Sequence, residues 1–286
     1  MDATLEACDP LNERQFKLAI KRLANSLNFG TDASHFLGAG TDYVQSRMYV
    51  PGDPVKSIDW RITARTGRIH LKEYEAPKRC PVYLLVDTSA SMCVTSQTLS
   101  KYAWAVQIAG GLALAALAKV SPVGFVGCGE REEQLEPTFS RNRIYLALYQ
   151  LRRFRFTERT LAGQRIRRLA AMIKERSLIF LLSDMHDPEA VGALKVLGQE
   201  HDCVVLQVQD PAERGRIGGG FFRGEEAETR KAFIGHSRSR WFGSDGIAGG
   251  LRKAGVDHLV LPTDQPILPP LRSFLQQRSI LGKGGR

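Results

Sequence analysis

The fold is decided by the stretch VYLLVDTSASM, residues 82–92, in which five apolar residues run directly into a carboxylate and serine hydroxyls. The apolar run is short, rich in valine and leucine and does not alternate with polar residues, which favours a strand buried on both faces of a parallel sheet. Asp87, Ser89 and Ser91 follow at alternate positions, so in an extended backbone their side chains converge on one side. Such hard oxygen ligands suit magnesium, manganese or calcium, so the stretch predicts a divalent-metal site at a strand end.

A second fully apolar run, LIFLL at residues 178–182, ends in Ser183-Asp184. From residue 82 onward apolar runs alternate with helical periods, which is typical of a parallel α/β sheet. The carboxyl ends of parallel strands share one edge, so Asp87 and Asp184 are expected to face the same crevice. A third candidate ligand is Thr160, in the polar loop at residues 157–160 that precedes the helix leading to this second run; we call it the threonine loop. Thr157 is the alternative ligand in the same loop.

The remaining pattern gives a coarse map of the chain. Further strands are predicted at residues 123–128, 134–139, 203–208 and 258–261, and helices at 11–27, 99–120, 143–154, 161–174, 188–200, 245–254 and 265–278. Ser96 or Thr98 is the expected cap of the helix at 99–120.

The sequence also predicts how the chain is divided. Residues 1–80 form a helix followed by a β-rich extension, in which partial alternation at 57–65 and 69–75 predicts half-exposed strands. Two pairs, Asp59-Trp60 and Arg47-Tyr49, are expected to fix this extension onto the domain that follows, with a docking surface as the alternative. That domain spans 81–270 with a polar hairpin or excursion at 209–240, and 271–286 holds the end of the last helix and a basic tail.

Composition limits the classes of protein that this chain can be. Its 286 residues are 43% hydrophobic, enough for a large core, and carry 40 Lys+Arg against 30 Asp+Glu, for a net charge of +10. That charge favours acidic partners. The five cysteines are widely spaced and include no C-x-x-C pair, which favours a reducing compartment. The N-terminus is acidic and lacks the apolar core of a signal peptide, so we expect a cytoplasmic location. The apolar residues from Tyr102 to Val120 are expected to form a helix packed on the sheet and not a membrane span.

The metal-ligand pattern resembles the von Willebrand factor A-type fold, a Rossmann-like, mostly parallel sheet flanked by helices. The metal-ion-dependent adhesion site of that fold consists of D-x-S-x-S, a later threonine and a later aspartate. The resemblance implies that its ligands here are Asp87, Ser89, Ser91, Thr160 and Asp184. It also implies bound Mg²⁺, with Mn²⁺ or Ca²⁺ as alternatives.

The preceding segment resembles the bacterial and archaeal "domain of unknown function fifty-eight" family. The matching motifs are Gly38-x-Gly40, Arg47-x-Tyr49-x-Pro51-Gly52-Asp53, Ile58-Asp59-Trp60, Ala64-Arg65-Thr66 and Leu71-Lys72-x-Tyr74-Glu75, with a weaker similarity at Asp210-Pro211-x-Glu213. The resemblance implies an adaptor or co-chaperone of a MoxR-type AAA+ ATPase. We therefore expect a metal-dependent protein-interaction module that grips an acidic side chain of this ATPase or of its client.

Two other functions are weighed against this one. A metal-dependent phosphohydrolase needs a second aspartate as acid/base where Ser89 stands, and His186 is expected to be a surface or packing residue, so the chain is not expected to be an enzyme. Nucleic-acid binding would use an arginine cluster around the threonine loop, which a solvated helix face explains equally well, and few aromatic residues accompany it. The cluster comprises Arg152, Arg153, Arg155, Arg159, Arg165, Arg167 and Arg168.

Overall fold

The computed structural model describes residues 6–7, 11–27, 43–51, 53, 55, 58–74, 80–214, 221–225, 232–236 and 244–280. In this part of the chain the strands are β1 (Glu6–Ala7), β2 (Tyr43–Met48), β3 (His70–Tyr74), β4 (Val82–Val86), β5 (Val123–Gly127), β6 (Gln134–Thr138), β7 (Arg153–Phe154), β8 (Leu178–Ser183), β9 (Asp202–Gln209), β10 (Phe221–Glu225), β11 (Ala232–His236) and β12 (Asp257–Pro262). The helices of the same residues are α1 (Glu13–Leu27), α2 (Trp60–Thr66), α3 (Lys101–Ala118), α4 (Arg141–Leu151), α5 (Ala162–Met172), α6 (Pro188–Glu200), α7 (Pro211–Arg214), α8 (Ser244–Lys253) and α9 (Leu268–Ile280).

A six-stranded sheet in the order β12-β9-β8-β4-β5-β6 forms the centre of the molecule. All neighbouring pairs are parallel except β5 with the edge strand β6, which is antiparallel. All five residues of β4 are buried, as are all six of β8, because helices cover both faces of the sheet. The prediction of a mostly parallel α/β sheet flanked by helices is confirmed.

Alternate residues of the central strands feed two separate cores, because successive side chains of a strand point to opposite faces. Val82, Leu84 and Val86 pack in the core that contains residues of α1, α3, α4 and α9. Tyr83 and Leu85 pack in the core on the other face, with residues of α5, α6 and α8. The N-terminal helix α1 thus belongs to one helical layer of the sheet, and the domain boundary at about residue 81 stays a prediction.

Helix α3 comes after the loop that carries Asp87, Ser89 and Ser91, here called the motif loop, and is buried along most of its length. It begins after Ser100, whose side chain accepts a hydrogen bond from the Ala103 amide at 3.0 Å, so the expected cap at Ser96 or Thr98 was wrong. Among the described residues it is the one helix long and apolar enough to cross a membrane, although 78% of its apolar window is buried. Composition of that kind is also found in helices packed against a sheet, so it is weak evidence for a span.

The β-rich extension differs from its predicted form in two ways. Residues 57–65 were predicted as a strand, but residues 60–66 form helix α2. Its N-cap is Asp59, whose side chain accepts from the amides of Arg61 and Ile62, and it ends at Gly67, whose φ of +70° suits glycine. Of the predicted pair Asp59-Trp60, Trp60 is 67% exposed and does not fix the extension by burial, whereas Asp59 is 5% exposed and accepts from Ser46 Oγ at 3.0 Å. The strand at 69–75 is confirmed as β3, paired antiparallel with β2.

The polar segment at 209–240 contains the short helix α7 and an antiparallel hairpin of β10 and β11. The predicted hairpin is therefore confirmed within the part of this segment that the structure describes. Gly38-x-Gly40 and the basic tail at 281–286 lie outside the described residues.

Helices α5 and α6 approach closely at Gly163, so we expect Gly163→Ala to destabilise the fold. A β-carbon there would lie 2.6 Å from Glu189 Cβ and 2.9 Å from the Glu189 carbonyl carbon. The helices cannot separate freely, because the Gly163 amide donates to Asp187 Oδ2 at 2.7 Å. Urea unfolding should show that the free energy of unfolding falls by about 1–3 kcal/mol. Gly192→Ala, on α6 with nothing within 4 Å of the added carbon, is the control and should not destabilise; equal losses in both variants would contradict the prediction.

Candidate metal and protein-interaction site

The two aspartates predicted at the strand ends lie side by side. Strands β4 and β8 pair in register, with Val86 opposite Leu182, and the Asp87 amide donates to the Leu182 carbonyl at 2.9 Å. Asp87 is 1% exposed and Asp184 is 2% exposed. Two carboxylates have therefore been removed from water at the carboxyl edge of the sheet, which requires compensating donors or cations nearby.

The loop after β4 supplies the hydroxyls. Ser89 donates its amide to Asp87 Oδ1 at 3.1 Å, and its Oγ lies 3.1 Å from the Oγ of Ser91. Ser91 in turn donates to Asp184 Oδ2 at 2.8 Å, and Ser183 donates to Asp87 Oδ2 at 2.7 Å. One turn of 3₁₀ helix, Ala90–Cys93, folds the loop back over the strand end. Four of the five predicted ligands are thereby joined in one hydrogen-bonded chain.

The fifth predicted ligand, Thr160, lies in the loop against which the motif loop packs. The Ala90 amide donates to the Glu158 carbonyl at 2.8 Å, and Thr160 forms a β-bridge with Gly129. The hydroxyl oxygen of Thr160 is shielded from solvent, whereas Thr157, the alternative, is exposed. This placement favours Thr160 over Thr157.

Glu158 fixes the threonine loop, and the sequence reasoning missed it. Its side chain is buried and accepts from Thr88 Oγ1 at 2.7 Å and from Arg131 Nε at 2.6 Å. Gly129 leaves the necessary space, since a β-carbon there would lie 2.1 Å from Glu158 Oε1. The one sequence signal was a lone carboxylate in an otherwise basic loop.

Three further residues missed as site residues surround Asp184. Its Oδ2 accepts from Lys101 Nζ at 2.8 Å and lies 3.1 Å from His186 Nδ1. Lys101 also donates to Glu213 Oε1. The ligand atoms of Asp184, His186 and Glu213 lie within 4.8 Å of one another, close enough to hold a metal ion. His186, expected to be a surface or packing residue, instead contacts the central carboxylate.

The electrostatics of the crevice follow from these contacts. Burial, together with the charge of Asp184, raises the pKa of Asp87 to about 7. Burial alone would raise the pKa of Asp184 too, but the hydrogen bond from His186 and the charge of Lys101 lower it well below its usual value. Burial lowers the pKa of Lys101 less than Asp184 and Glu213 raise it, so the group is a charged ammonium.

Asp210 ties the end of β9 to the loop before α3. Its carboxylate accepts from the Ser96 amide at 2.8 Å and from Thr95 Oγ1 at 3.1 Å. Glu213 lies one turn further on, in α7. The Asp210-Pro211-x-Glu213 similarity noted in the sequence therefore marks residues that fasten the loop before α3 and reach Lys101.

The donor set fits a hard divalent cation. Two hydroxyl oxygens and a carboxylate oxygen are hydrogen-bonded neighbours here, at 3.1 Å between Ser89 and Ser91 and 2.8 Å between Ser91 and Asp184, so hard oxygens are close enough together to be ligands of one ion. The group of Asp184, His186 and Glu213 also meets the distance requirement for a metal. The crevice can thus hold a cation without rearrangement of the strands.

Two members of the predicted arginine cluster pack into the fold, and two others form exposed ion pairs. Arg152 lies 4.5 Å over the ring of Phe16, and Arg165 donates to the Gly129 carbonyl. Arg167 and Arg168 pair with Glu189 and Glu132. Within the described residues Arg153, Arg155 and Arg159 are exposed and form no ion pair; the last two lie in the loop that leads to Thr160.

Comparison with known proteins assigns the family. Uncharacterized proteins of Mycobacterium tuberculosis and Mycobacterium bovis are 34% identical to this chain over 79 residues, 28% of this chain. The match spans a quarter, 25%, of the length of these relatives. No solved structure matches. A family model described as "Protein of unknown function DUF58" matches residues 45–235, two thirds of the chain, and the chain belongs to this DUF58 family.

Proposed function

We propose that this chain is a metal-dependent protein-interaction module with a von Willebrand A-type fold. Its adhesion site consists of Asp87, Ser89, Ser91, Thr160 and Asp184 and takes Mg²⁺, with Mn²⁺ or Ca²⁺ as alternatives. The observation that carries the proposal is the chain of oxygens from Ser89 through Ser91 to Asp184, at 3.1 and 2.8 Å, on the carboxyl edge of a parallel sheet.

A partner carboxylate is the ligand that this crevice suits. A bound cation that keeps a coordination position open attracts an anionic oxygen from another molecule. Arg155 and Arg159 are exposed in the neighbouring loop and add positive potential on the approach to the site. An acidic side chain of a protein partner satisfies both features.

Binding, and not catalysis, is the proposed role of these residues. Ser89 stands where an aspartate-dependent phosphohydrolase places its second aspartate as acid/base, which favours binding over that chemistry. The exposed arginines are few, and among the described residues beside them Phe156 is the one exposed large aromatic side chain, which favours a nucleic-acid interface less than a run of interleaved aromatics would.

The proposed partner is a MoxR-type AAA+ ATPase or its client, in the cytoplasm. This choice rests on the family resemblance. The exposed Arg155 and Arg159 beside the crevice are compatible with it. The site residues would then provide a contact that forms only while the cation is bound.

The experiment combines calorimetry with partner capture. We expect Mg²⁺ to bind the wild-type chain with one site, and Asp87→Ala to lower the affinity at least about tenfold because the site loses a carboxylate charge. Capture of a purified MoxR-type ATPase should require Mg²⁺ and fail in EDTA. Glu200→Gln, an exposed carboxylate just before the start of β9, is the matched control and should behave as wild type.

Two results would contradict the proposal. Capture of the ATPase that persists in EDTA and in Asp184→Ala would remove the metal from the interaction. Turnover of generic phosphoesters that requires Mg²⁺ and disappears in Asp87→Ala would show an enzyme in place of an adaptor.

A further inference from the structure

Lys101 is a buried charge that the proposed adhesion site does not use. It is the first residue of α3, and its side chain is 1% exposed. Lysine is almost never buried to this extent unless it is paired, because removal of an ammonium from water is costly. The sheet edge therefore holds a cation that belongs to the chain itself.

The ammonium contacts the carboxylates that would otherwise be free to bind a metal. Lys101 Nζ lies 2.8 Å from Asp184 Oδ2 and also donates to Glu213 Oε1. Those two carboxylates, with His186, are the group whose ligand atoms converge within 4.8 Å. The carboxylates of this candidate metal site are thus already paired with a positive charge, the Lys101 ammonium.

We propose that the Lys101 ammonium is a built-in cation that competes with the divalent ion for Asp184. This inference rests on the proposed function and deepens it. The competition arises at a single atom, because Asp184 Oδ2 also accepts from Ser91, whose hydroxyl belongs to the adhesion site. A divalent ion beside Ser91 and an ammonium 2.8 Å from the same carboxylate oxygen repel each other.

The structure leaves an ammonium displaced from Asp184 with Glu213 as its partner. Glu213 is less enclosed than Asp184, with a side chain 14% exposed against 1%. A Lys101 that releases Asp184 therefore keeps one carboxylate partner while moving toward solvent. Glu213 lies three residues after Asp210, which accepts hydrogen bonds from Thr95 and Ser96. Replacement of the ammonium by a divalent ion would therefore also affect the loop before α3, which borders the crevice.

The first test compares Mg²⁺ binding by wild type, Lys101→Met and Lys195→Met. The last removes the same charge from an exposed position on α6 and is the matched control. We expect Lys101→Met to bind Mg²⁺ at least about tenfold more tightly than wild type, because the competing charge is gone. Without metal its melting temperature should fall, and Mg²⁺ should raise that temperature further in this variant than in wild type. Lys195→Met should match wild type in both.

The second test uses the wild-type chain and does not depend on the folding of a variant. Amine acylation followed by mass spectrometry reports the exposure of each lysine. Lys101 should be protected in EDTA and labelled several-fold faster at saturating Mg²⁺, and the increase should be absent in Asp87→Ala. Lys195 should be labelled at the same rate throughout. An unchanged Lys101 rate in a chain that calorimetry shows to be saturated with Mg²⁺ would overturn the competition.

The outcomes separate this inference from the proposed function. Equal Mg²⁺ affinity in wild type and Lys101→Met overturns the competition and leaves the adhesion site standing. Tight, Asp87-dependent binding in Lys101→Met with none in wild type supports the competition and contradicts a metal-dependent grip by the wild-type chain. A wild type that binds no Mg²⁺, with a Lys101→Met that binds none or stays unfolded in Mg²⁺, overturns both, because the metal then cannot take the place of the ammonium.

Discussion

Glu158→Ala is expected to lower the free energy of unfolding by about 3–5 kcal/mol, as the removal of one partner from a buried ion pair commonly does. The carboxylate is 1% exposed and holds Arg131, itself 11% exposed, at 2.6 Å. Its loss leaves the guanidinium with Glu133 as its ion-pair partner and deprives the Thr88 hydroxyl of its acceptor. Urea unfolding followed by circular dichroism measures the change.

The matched control for that variant is Glu132→Ala. Glu132 also pairs with arginines, Arg165 and Arg168, but its side chain is 69% exposed. Ion pairs in water contribute little, so the unfolding midpoint of the control should barely move. A Glu158→Ala protein as stable as the control would mean that Glu133 and the backbone hold Arg131 adequately and that Glu158 is not the residue that fixes the threonine loop.

The sheet could be predicted from the sequence because its strands are buried on both faces. An uninterrupted apolar run such as residues 178–182 leaves few alternatives to a central strand, and the edge rule for parallel strands then brings Asp87 and Asp184 together. Strand β8 was found one residue longer than predicted, at Leu178–Ser183. Burial of this kind is encoded locally, so a single sequence suffices to detect it.

The helix α2 could not be recognised in the same way. It has seven residues and none of them is buried, so it carries no apolar stripe that would distinguish helical from strand periodicity. What determines it is capping, by Asp59 at one end and Gly67 at the other. Both cap residues are visible in the sequence, but the partial alternation around Trp60 predicts a strand over the same residues.

The charged residues around the site escaped prediction because their partners are distant in sequence. Lys101 and Asp184 are 83 residues apart, and Thr88 and Glu158 are 70 apart. Neither Lys101 at a helix start nor Glu158 in a polar loop has a local pattern that marks it as buried. Only the packing of α3 and of the threonine loop against the sheet edge turns these ordinary surface residue types into buried partners.

The pair of Lys101 and Asp184 is expected to show a coupling energy of about 3 kcal/mol in a double-mutant cycle. Lys101→Met leaves Asp184 and Glu213 without their ammonium, and Asp184→Asn leaves the ammonium with Glu213 alone. Each single variant strands a buried charge, so the double variant should lose much less stability than the sum of the two. The cycle is measured by urea unfolding in EDTA, so that no metal contributes.

The pair of Lys17 and Glu13 provides the comparison, since its ion pair is equally short at 2.7 Å but its side chains are 40% and 63% exposed. Its coupling energy should be no more than about 0.5 kcal/mol. Additive losses at Lys101 and Asp184 would show that the two groups do not hold each other. The same cycle is then measured in saturating Mg²⁺. If a divalent ion binds Asp184 in place of the ammonium, the coupling energy between Lys101 and Asp184 should become smaller. A coupling energy that is the same with and without Mg²⁺ would show that the divalent ion and the ammonium do not compete for this oxygen.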